Sequence, residues 1–174
     1  MPKLPLYTAP EAHAGAEFVW FAYGSSLDFD AFSAWGGEHG YRLPDSARVQ
    51  PAVLRGWRLS WCVPSKFWGG VVASVVEGGA ADQVEGIAWP MPASALGLVR
   101  HKEGVVSGLF EERGARCAVG SGEIDCQLYV AATGRRVPEG SAPPAQQFAR
   151  TLVKGAKARG LSAAWIAELE AVAG

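Results

Sequence analysis

The order of strand-like and helix-like segments along the chain constrains its fold more than any other feature. Runs rich in β-branched and aromatic residues fill much of the sequence before residue 132, and glycine or proline separates most of them. Helical periodicity is clearest near the end, where Phe148, Leu152 and Ala156 recur every four residues. Strands dominate the middle and helices the end, and this arrangement predicts the α+β class.

The strand predictions begin with the run from Phe18 to Tyr23, which stops at a glycine-serine turn. Further strands are expected at residues 53–62, 70–77 and 83–91, followed by an extended segment from Val105 and a hairpin of 115–119 with 124–131. The helix predictions rest on capping residues and periodicity. They comprise a short helix capped by Asp28 and reaching towards Trp35, a helix from Pro92 to His101, an amphipathic helix ending at Gly160, and a last helix capped by Ser162. A loop is expected at Gly36, Gly37 and Gly40.

Length and charge limit the domain organisation and the kinds of partner. The 174 residues suggest one domain over 17–174, after a proline-containing stretch of residues 1–16 that we expect to be a mobile tail. A net charge of -1 gives no electrostatic reason to expect binding to nucleic acid or to an anionic membrane. No apolar run is long enough to span a bilayer. A small-molecule ligand fits the near-neutral balance of charged residues at least as well.

Three cysteines, Cys62, Cys117 and Cys126, are too few and too irregular for a disulfide framework, which favours a reducing cytoplasm. A hairpin symmetric about Ser121-Gly122 would place Cys117 opposite Cys126. Two readings stay open for that pair. The thiols either pack as small apolar groups or take part in redox chemistry, which would require exposed thiols of low pKa.

The first candidate site is the segment Tyr23-Gly24-Ser25-Ser26-Leu27. A strand that opens into a glycine-serine turn exposes successive backbone N–H groups, and such a nest can hold a carboxylate or an oxyanion. Serine hydroxyls add further donors. The alternative is an ordinary connection between a strand and a helix, because short glycine-serine turns are common.

The second candidate site is the segment Lys102-Glu103-Gly104-Val105, in which Glu103 lies at the junction between a predicted helix and an extended segment. Partial burial at such a junction would raise its pKa towards neutrality and suit it to proton transfer. Alternatively, Glu103 is a solvated surface residue, and His101 is a second candidate base. The histidines form no recognisable metal motif, and the sequence contains neither a G-x-S-x-G elbow nor a phosphate-binding loop.

Aromatic residues are frequent, with seven tryptophans. Trp57 and Trp61 fall on one face of a predicted strand, where they either pack in the core or form an aromatic wall for a ligand. The loop from Lys66 to Gly70 combines aromatic residues with glycines and is a candidate cover for a pocket.

Taken in order, these segments resemble the γ-glutamylcyclotransferase family. The resemblance covers roughly residues 18 to 172 and is specific because its pieces occur in sequence. Phe21 to Leu27 resembles the family's F-A-Y-G-S-N-L opening, and Glu103 to Gly108 is similar to its E-G-V-x-S-G segment. The other matching pieces are Gly69 to Ser74, Val84 to Trp89, Ser141 to Pro144 and Gly155 to Leu161.

The resemblance implies a small mixed β-barrel flanked by helices. It also implies an enzyme that releases 5-oxoproline from γ-glutamyl compounds without a metal or an organic cofactor. By the same resemblance Glu103 is the general acid/base, and Tyr23, Gly24, Ser25, Ser26 and Leu27 hold the γ-glutamyl group. Members of the family are typically cytosolic and often dimeric, so a cytoplasmic location and a homodimer are further expectations.

Three positions depart from the family pattern. Ser26 stands in place of an asparagine, and Phe110 and Phe148 each stand in place of a tyrosine. Phe110 and Tyr129 are nevertheless expected near the substrate, although Tyr129 could equally be a core aromatic residue. These departures bear on which γ-glutamyl compound is the substrate. They leave open another γ-glutamyl metabolite, or a scaffold that binds γ-glutamyl compounds or 5-oxoproline without turnover.

Overall fold

Five strands close into a barrel in a computed structural model that describes residues 16–174. The strands of the barrel follow the order β1-β5-β2-β6-β7, and β3 pairs with β4 in a separate hairpin. The strands are β1 (Glu17–Ala22), β2 (Gln50–Arg55), β3 (Trp57–Ser65), β4 (Gly70–Glu77), β5 (Gln83–Pro92), β6 (Phe110–Val119) and β7 (Gly122–Ala131). The α-helices are α1 (Phe29–Glu38), α2 (Leu96–Lys102), α3 (Gln146–Ala158) and α4 (Ala163–Ala173).

The barrel mixes antiparallel and parallel pairing. Strand β5 lies between β1 and β2 and is antiparallel to both, and β6 and β7 form a long antiparallel hairpin. The sheet closes where β1 runs parallel to β7, at the pair Trp20 and Gln127. Both the predicted α+β class and the mixed barrel are therefore confirmed.

A cluster of large aromatic side chains fills the space between the barrel and α1. Trp20 stacks on Trp89 with ring centroids 6.0 Å apart, and Phe32 of α1 meets the Trp89 ring edge-on. All three side chains are at most 1% exposed. Burial of aromatic surface on this scale anchors α1 to the barrel, and α1 begins at the turn that follows β1.

Two helix caps predicted from the sequence are confirmed. The Asp28 carboxylate accepts hydrogen bonds from the backbone N–H groups of Asp30 and Ala31 at the start of α1. The Ser162 hydroxyl accepts from the Trp165 N–H at the start of α4. Because Asp28 immediately follows the glycine-serine turn, its cap fixes where that turn ends.

Helix α3 packs directly against the glycine-serine turn. At Gly155, a Cβ atom would lie only 2.5 Å from the backbone nitrogen of Asp28 and 2.6 Å from the Cβ of Leu27. Real Cβ atoms do not approach so closely, so only glycine permits this contact. The close approach holds the turn between α3 and the barrel.

Several predicted boundaries are wrong. Gly36 and Gly37 lie within α1, so the loop begins only near Gly40. The predicted strand at residues 53–62 is two strands in different sheets, separated by Gly56 with φ of +80°. Val105 starts a series of turns instead of an extended segment, which begins at Phe110. The predicted helix from Pro92 starts as a short 3₁₀ turn before α2.

The hairpin register also differs from the prediction. Cys117 lies opposite Ile124, and Cys126 lies opposite Ala115, so the turn is centred on Gly120 and Ser121. The two thiols are diagonal neighbours on one face, and their interaction lowers the pKa of Cys117 and raises that of Cys126. Both are free and buried, as the packing interpretation requires.

Within residues 16–174 no helix has the length and apolar character needed to cross a membrane. The predicted tail at residues 1–16 lies, apart from Ala16, outside the described residues.

Candidate active site

A cavity of about 220 Å³ lies where the end of β1 meets the end of α2 and the loop between β3 and β4. Its lining combines charged, hydroxyl and aromatic groups. Among the predicted site residues, Tyr23, Gly24, Ser25, Glu103 and Phe110 line this cavity. Two segments that are 80 residues apart in sequence are therefore brought together, as a shared ligand would require.

Glu103 is fixed at the C-terminal end of α2. Its backbone N–H donates to the Val99 carbonyl at 2.9 Å, which completes the last helical turn. Gly104 follows with φ of +70°, a conformation that favours glycine, and its carbonyl accepts from the Leu109 N–H at 3.0 Å. The chain thus reverses directly after Glu103, and the side chain faces the cavity.

Burial controls the acidity of Glu103. Removal of its carboxyl from water raises the pKa from 4.5 to about 7, and the nearby positive charge of Lys102 opposes this rise. A carboxyl group of this kind can take up and release a proton near neutral pH.

The glycine-serine turn is one turn of 3₁₀ helix. The Leu27 N–H donates to the Gly24 carbonyl at 3.1 Å, and the Asp28 N–H donates to the Ser25 carbonyl at 3.2 Å. The first N–H groups of such a turn have no acceptor within it, so those near Ser25 are available to a ligand. Because Gly24 and Ser25 line the cavity, the turn presents donors to the same space as Glu103.

Tyr23 lines the cavity, but its hydroxyl is already engaged. It donates to the Tyr129 carbonyl at 2.6 Å and accepts from the Val75 N–H at 3.4 Å. Burial, together with the nearby charge of Glu103, raises the pKa of Tyr23 well above its usual value. The phenol therefore stays neutral and ties β1 to β4 and β7.

The remaining predicted site residues do not line the cavity. Ser26 and Leu27 belong to the turn itself, but their side chains are buried, at 3% and 0% exposure, and do not line the cavity. The Tyr129 hydroxyl points to a different group, where it donates to Glu112 at 3.1 Å and accepts from Gln127 at 3.0 Å. His101 is exposed, with its Nδ1 atom 3.1 Å from the Tyr41 hydroxyl, and it does not line the cavity either.

Lys102, the first residue of the second candidate segment, also lines the cavity, although no role is predicted for it from the sequence. Its ammonium group donates to the Ser25 hydroxyl at 3.3 Å and lies 5.3 Å from the centre of the Trp35 ring. Burial lowers the pKa of Lys102, and the charge of Glu103 opposes that effect. The only sequence signal was its position next to Glu103, and a lysine there is ordinarily read as a solvated surface residue.

One side of the cavity is an aromatic wall made of Phe67, Trp68 and Phe148. The Trp68 and Phe148 rings meet edge-on at 5.4 Å, and Phe67 meets Trp68 at 5.1 Å. Trp61 supports Phe148 from behind at 5.8 Å, whereas Trp57 does not reach the cavity. The loop from Lys66 to Gly70, which is predicted to cover a pocket, contributes Phe67 and Trp68 to this cavity. The three rings carry no hydroxyl group, and Ser65 lies at the edge of the wall.

The described part of the chain contains no group of three or more histidine, cysteine, aspartate or glutamate side chains that could hold a metal ion.

Comparison with known proteins gives a consistent result. Residues 83–169 match the model of the AIG2-like family. The human γ-glutamylcyclotransferase is 30% identical over 160 residues, an alignment that covers 89% of this chain and 78% of the human protein. The mouse γ-glutamylcyclotransferase is 29% identical and is covered to 84% of its length.

A solved structure of a γ-glutamyl cyclotransferase superimposes with a TM-score of 0.72 at 26% identity, covering 90% of this chain and 88% of that one. With the barrel, the ordered motifs and these similarities together, the chain belongs to the γ-glutamylcyclotransferase family.

Proposed function

We propose that this protein is a γ-glutamylcyclotransferase that releases 5-oxoproline, with Glu103 as the general acid/base. In this reaction the α-amine of a γ-glutamyl compound attacks the γ-carbonyl of the same molecule. The new bond closes a five-membered lactam, and the bond to the departing amino acid or amine breaks. No nucleophile from the protein is needed, because the substrate supplies its own.

The observation that carries the proposal is the position of Glu103, which lines one cavity with the glycine-serine turn. The α-amine of the substrate is mostly protonated at neutral pH and must lose a proton before it can attack. A carboxyl group with a pKa of about 7 can accept that proton and later deliver it to the departing nitrogen. An ordinary surface glutamate would remain ionised and would be a poor proton donor for the second step.

Positioning is the second contribution. The substrate must bend so that its amine meets its own carbonyl carbon, which is an unfavourable arrangement for a free flexible chain. We propose that the N–H groups of the turn at Gly24 and Ser25 hold one end of the γ-glutamyl group opposite Glu103. Donors of this kind also stabilise negative charge as it develops on the carbonyl oxygen.

The departures from the family pattern affect different parts of the site. Ser26 is buried behind the turn, so its replacement of asparagine does not alter the cavity lining directly. Phe110 and Phe148 do line the cavity and remove two hydroxyl groups from it. Proton transfer at Glu103 does not require those hydroxyls, whereas recognition of the leaving group is expected to depend on them.

The test is the rate at which Glu103→Gln releases 5-oxoproline from a panel of γ-glutamyl amino acids and amines, measured by mass spectrometry. Removal of the proton-transfer group should reduce the rate by a factor of about 10² to 10⁴. Glu139→Gln is the matched control, because Glu139 is exposed and pairs with Arg58 on the surface.

A Glu103→Gln variant with the wild-type rate would contradict the role of Glu103. A wild-type protein that binds members of the panel without releasing 5-oxoproline would contradict the proposed activity. That second outcome would instead favour a binding protein on the same scaffold.

A further inference from the structure

Lys102 places a partly buried positive charge in the cavity, and within residues 16–174 its hydrogen-bond partner is one neutral side chain. Its ammonium group donates to the Ser25 hydroxyl at 3.3 Å. The nearest rings are those of Trp35 and Phe32, at 5.3 and 5.9 Å. Among the ion pairs found within residues 16–174, none involves Lys102.

A buried ammonium group is costly unless an anion or several hydrogen bonds compensate for its lost hydration. Ser25 satisfies one of its three donors, and the aromatic faces of Trp35 and Phe32 supply only a weak electrostatic attraction. Because Lys102 lines the cavity, the missing anion can come from a ligand that enters it.

The neighbouring residue indicates which anion. A γ-glutamyl group carries an α-carboxylate and an α-amine on one carbon atom, so their binding partners must lie close together and have different character. Lys102 and Glu103 are consecutive residues that line one cavity. Lys102 suits the carboxylate, and Glu103 suits the amine from which a proton must be taken.

We propose that Lys102 binds the α-carboxylate of the γ-glutamyl group and thereby sets the α-amine against Glu103. In this arrangement Lys102 and the turn at Ser25 form one carboxylate subsite. Lys102 is then a positioning residue, since it does not itself transfer a proton. The inference rests on the proposed function for the identity of the ligand, but its test is a binding measurement that needs no turnover.

The probes are 5-oxoproline, which retains the α-carboxylate, and 5-oxoprolinamide, in which a neutral amide replaces it. We expect the wild-type protein to bind 5-oxoproline about 10- to 100-fold more tightly than the amide, as measured by calorimetry. Lys102→Met, which keeps the length of the side chain and removes its charge, should bind the two compounds with nearly equal affinity.

Lys157→Met is the matched control, because Lys157 is an exposed residue of α3 that pairs with Glu170 and does not line the cavity. It removes the same charge from the protein and should keep the wild-type preference. Lys102→Arg retains the charge and should retain part of the preference. Thermal unfolding should show Lys102→Met to be about as stable as the wild type, since the desolvation cost of a partly buried charge is removed.

A second readout separates positioning from general structural support. The charge of Lys102 lowers the pKa of Glu103. The two tyrosines near that carboxyl group, Tyr23 and Tyr129, remain neutral because their own pKa values are raised. The acid limb of the kcat/KM profile of Lys102→Met should therefore move to higher pH.

The inference would be overturned by an unchanged preference for 5-oxoproline in Lys102→Met. Equal binding of both probes by the wild type, or no binding of 5-oxoproline at millimolar concentration, would overturn it as well. These results are distinguishable from failure of the proposed function. A wild-type protein that binds 5-oxoproline through Lys102 but releases none from any substrate would disprove the activity and leave the subsite intact.

Discussion

The Tyr23 hydroxyl donates a hydrogen bond of 2.6 Å to the backbone carbonyl of Tyr129, and this bond joins the end of β1 to β7 beside the cavity. The same oxygen accepts from the Val75 N–H of β4. One phenol therefore connects three strands, and its ring forms part of the cavity lining. This arrangement implies that Tyr23 shapes the site through its position rather than by donating its hydroxyl to a ligand.

Tyr23→Phe tests this interpretation. It leaves a buried carbonyl and a buried N–H without partners, which should lower the free energy of unfolding by about 1 to 3 kcal/mol. Urea denaturation measures this loss. Binding of 5-oxoproline at a temperature well below unfolding should stay within about threefold of the wild type, because no ligand contact is removed.

Tyr41→Phe is the control for Tyr23→Phe, since it removes an exposed hydrogen bond to His101 and should change stability by less than about 0.5 kcal/mol. Loss of 5-oxoproline binding in Tyr23→Phe, with stability unchanged, would show instead that the hydroxyl contacts the ligand directly.

The pH dependence of turnover should follow Glu103. As a general base it must be ionised, so kcat/KM should rise with pH and level off above an apparent pKa near 7. Initial rates of 5-oxoproline release in buffers of constant ionic strength provide the measurement. An acid limb near pH 4.5 would mean that the carboxyl group titrates as if fully solvated, and the proposed role would lose its main support.

Stability should depend on Glu103 in the opposite direction to activity. The pKa of Glu103 in the folded protein is about 7, above the ordinary value of 4.5. Its contribution to the free energy of unfolding is therefore fully present below pH 4.5 and is lost as the pH rises through 7. Glu103→Gln avoids this loss and should be more stable than the wild type above pH 7. A pKa rise of this size corresponds to at most about 3 kcal/mol.

Chemical denaturation at pH 5 and at pH 8 provides the comparison for Glu103→Gln. The gain should be small at pH 5 and largest at pH 8. An equal effect at both values would indicate a packing change unrelated to the charge of Glu103.

Part of this site could be predicted from sequence because its signals are local. A strand that ends at Gly24-Ser25, and a glutamate directly before Gly104, are both visible within a few residues. The direction of the Lys102 side chain is not local, since it depends on α2 ending beside the turn after β1. The same limitation hid the engagement of the Tyr23 hydroxyl, whose partners are 52 and 106 residues away.

The errors in the predicted fold have similar causes. Gly36 lies in α1 and not in the predicted loop. A Cβ at this position would come within 3.1 Å of the Leu43 side chain, so tertiary packing favours glycine inside the helix. The hairpin turn was centred one residue too late, because Gly120, with φ of +57°, takes the first central position of the turn. Such choices depend on backbone geometry that composition and periodicity do not encode.

The contact between α3 and the glycine-serine turn yields a prediction with an unusual sign. In an exposed helix, glycine to alanine usually stabilises by up to about 1 kcal/mol. Gly155→Ala should instead destabilise by about 1 to 3 kcal/mol, because the new Cβ would clash with the backbone of Leu27 and Asp28. It should also weaken 5-oxoproline binding, since the turn that lines the cavity must shift.

Gly37→Ala is the matched control for Gly155→Ala. Gly37 is exposed in α1, and a Cβ there meets nothing within 4 Å. The control should be neutral or slightly stabilising in thermal unfolding. If both variants gain stability, the close packing of α3 on the turn is not present in solution.

The aromatic wall of Phe67, Trp68 and Phe148 should determine the preferred leaving group. An apolar side chain on the departing amino acid can bury surface against these rings, whereas glycine has no side chain to bury. We expect kcat/KM to be higher for γ-glutamyl-phenylalanine than for γ-glutamyl-glycine. Trp68→Ala should lower kcat/KM by about tenfold for γ-glutamyl-phenylalanine and much less for γ-glutamyl-glycine.

Trp57→Ala is the control, because Trp57 lies outside the cavity, and it should leave the ratio of the two kcat/KM values unchanged. A ratio unaffected by Trp68→Ala would place the leaving group elsewhere in the cavity.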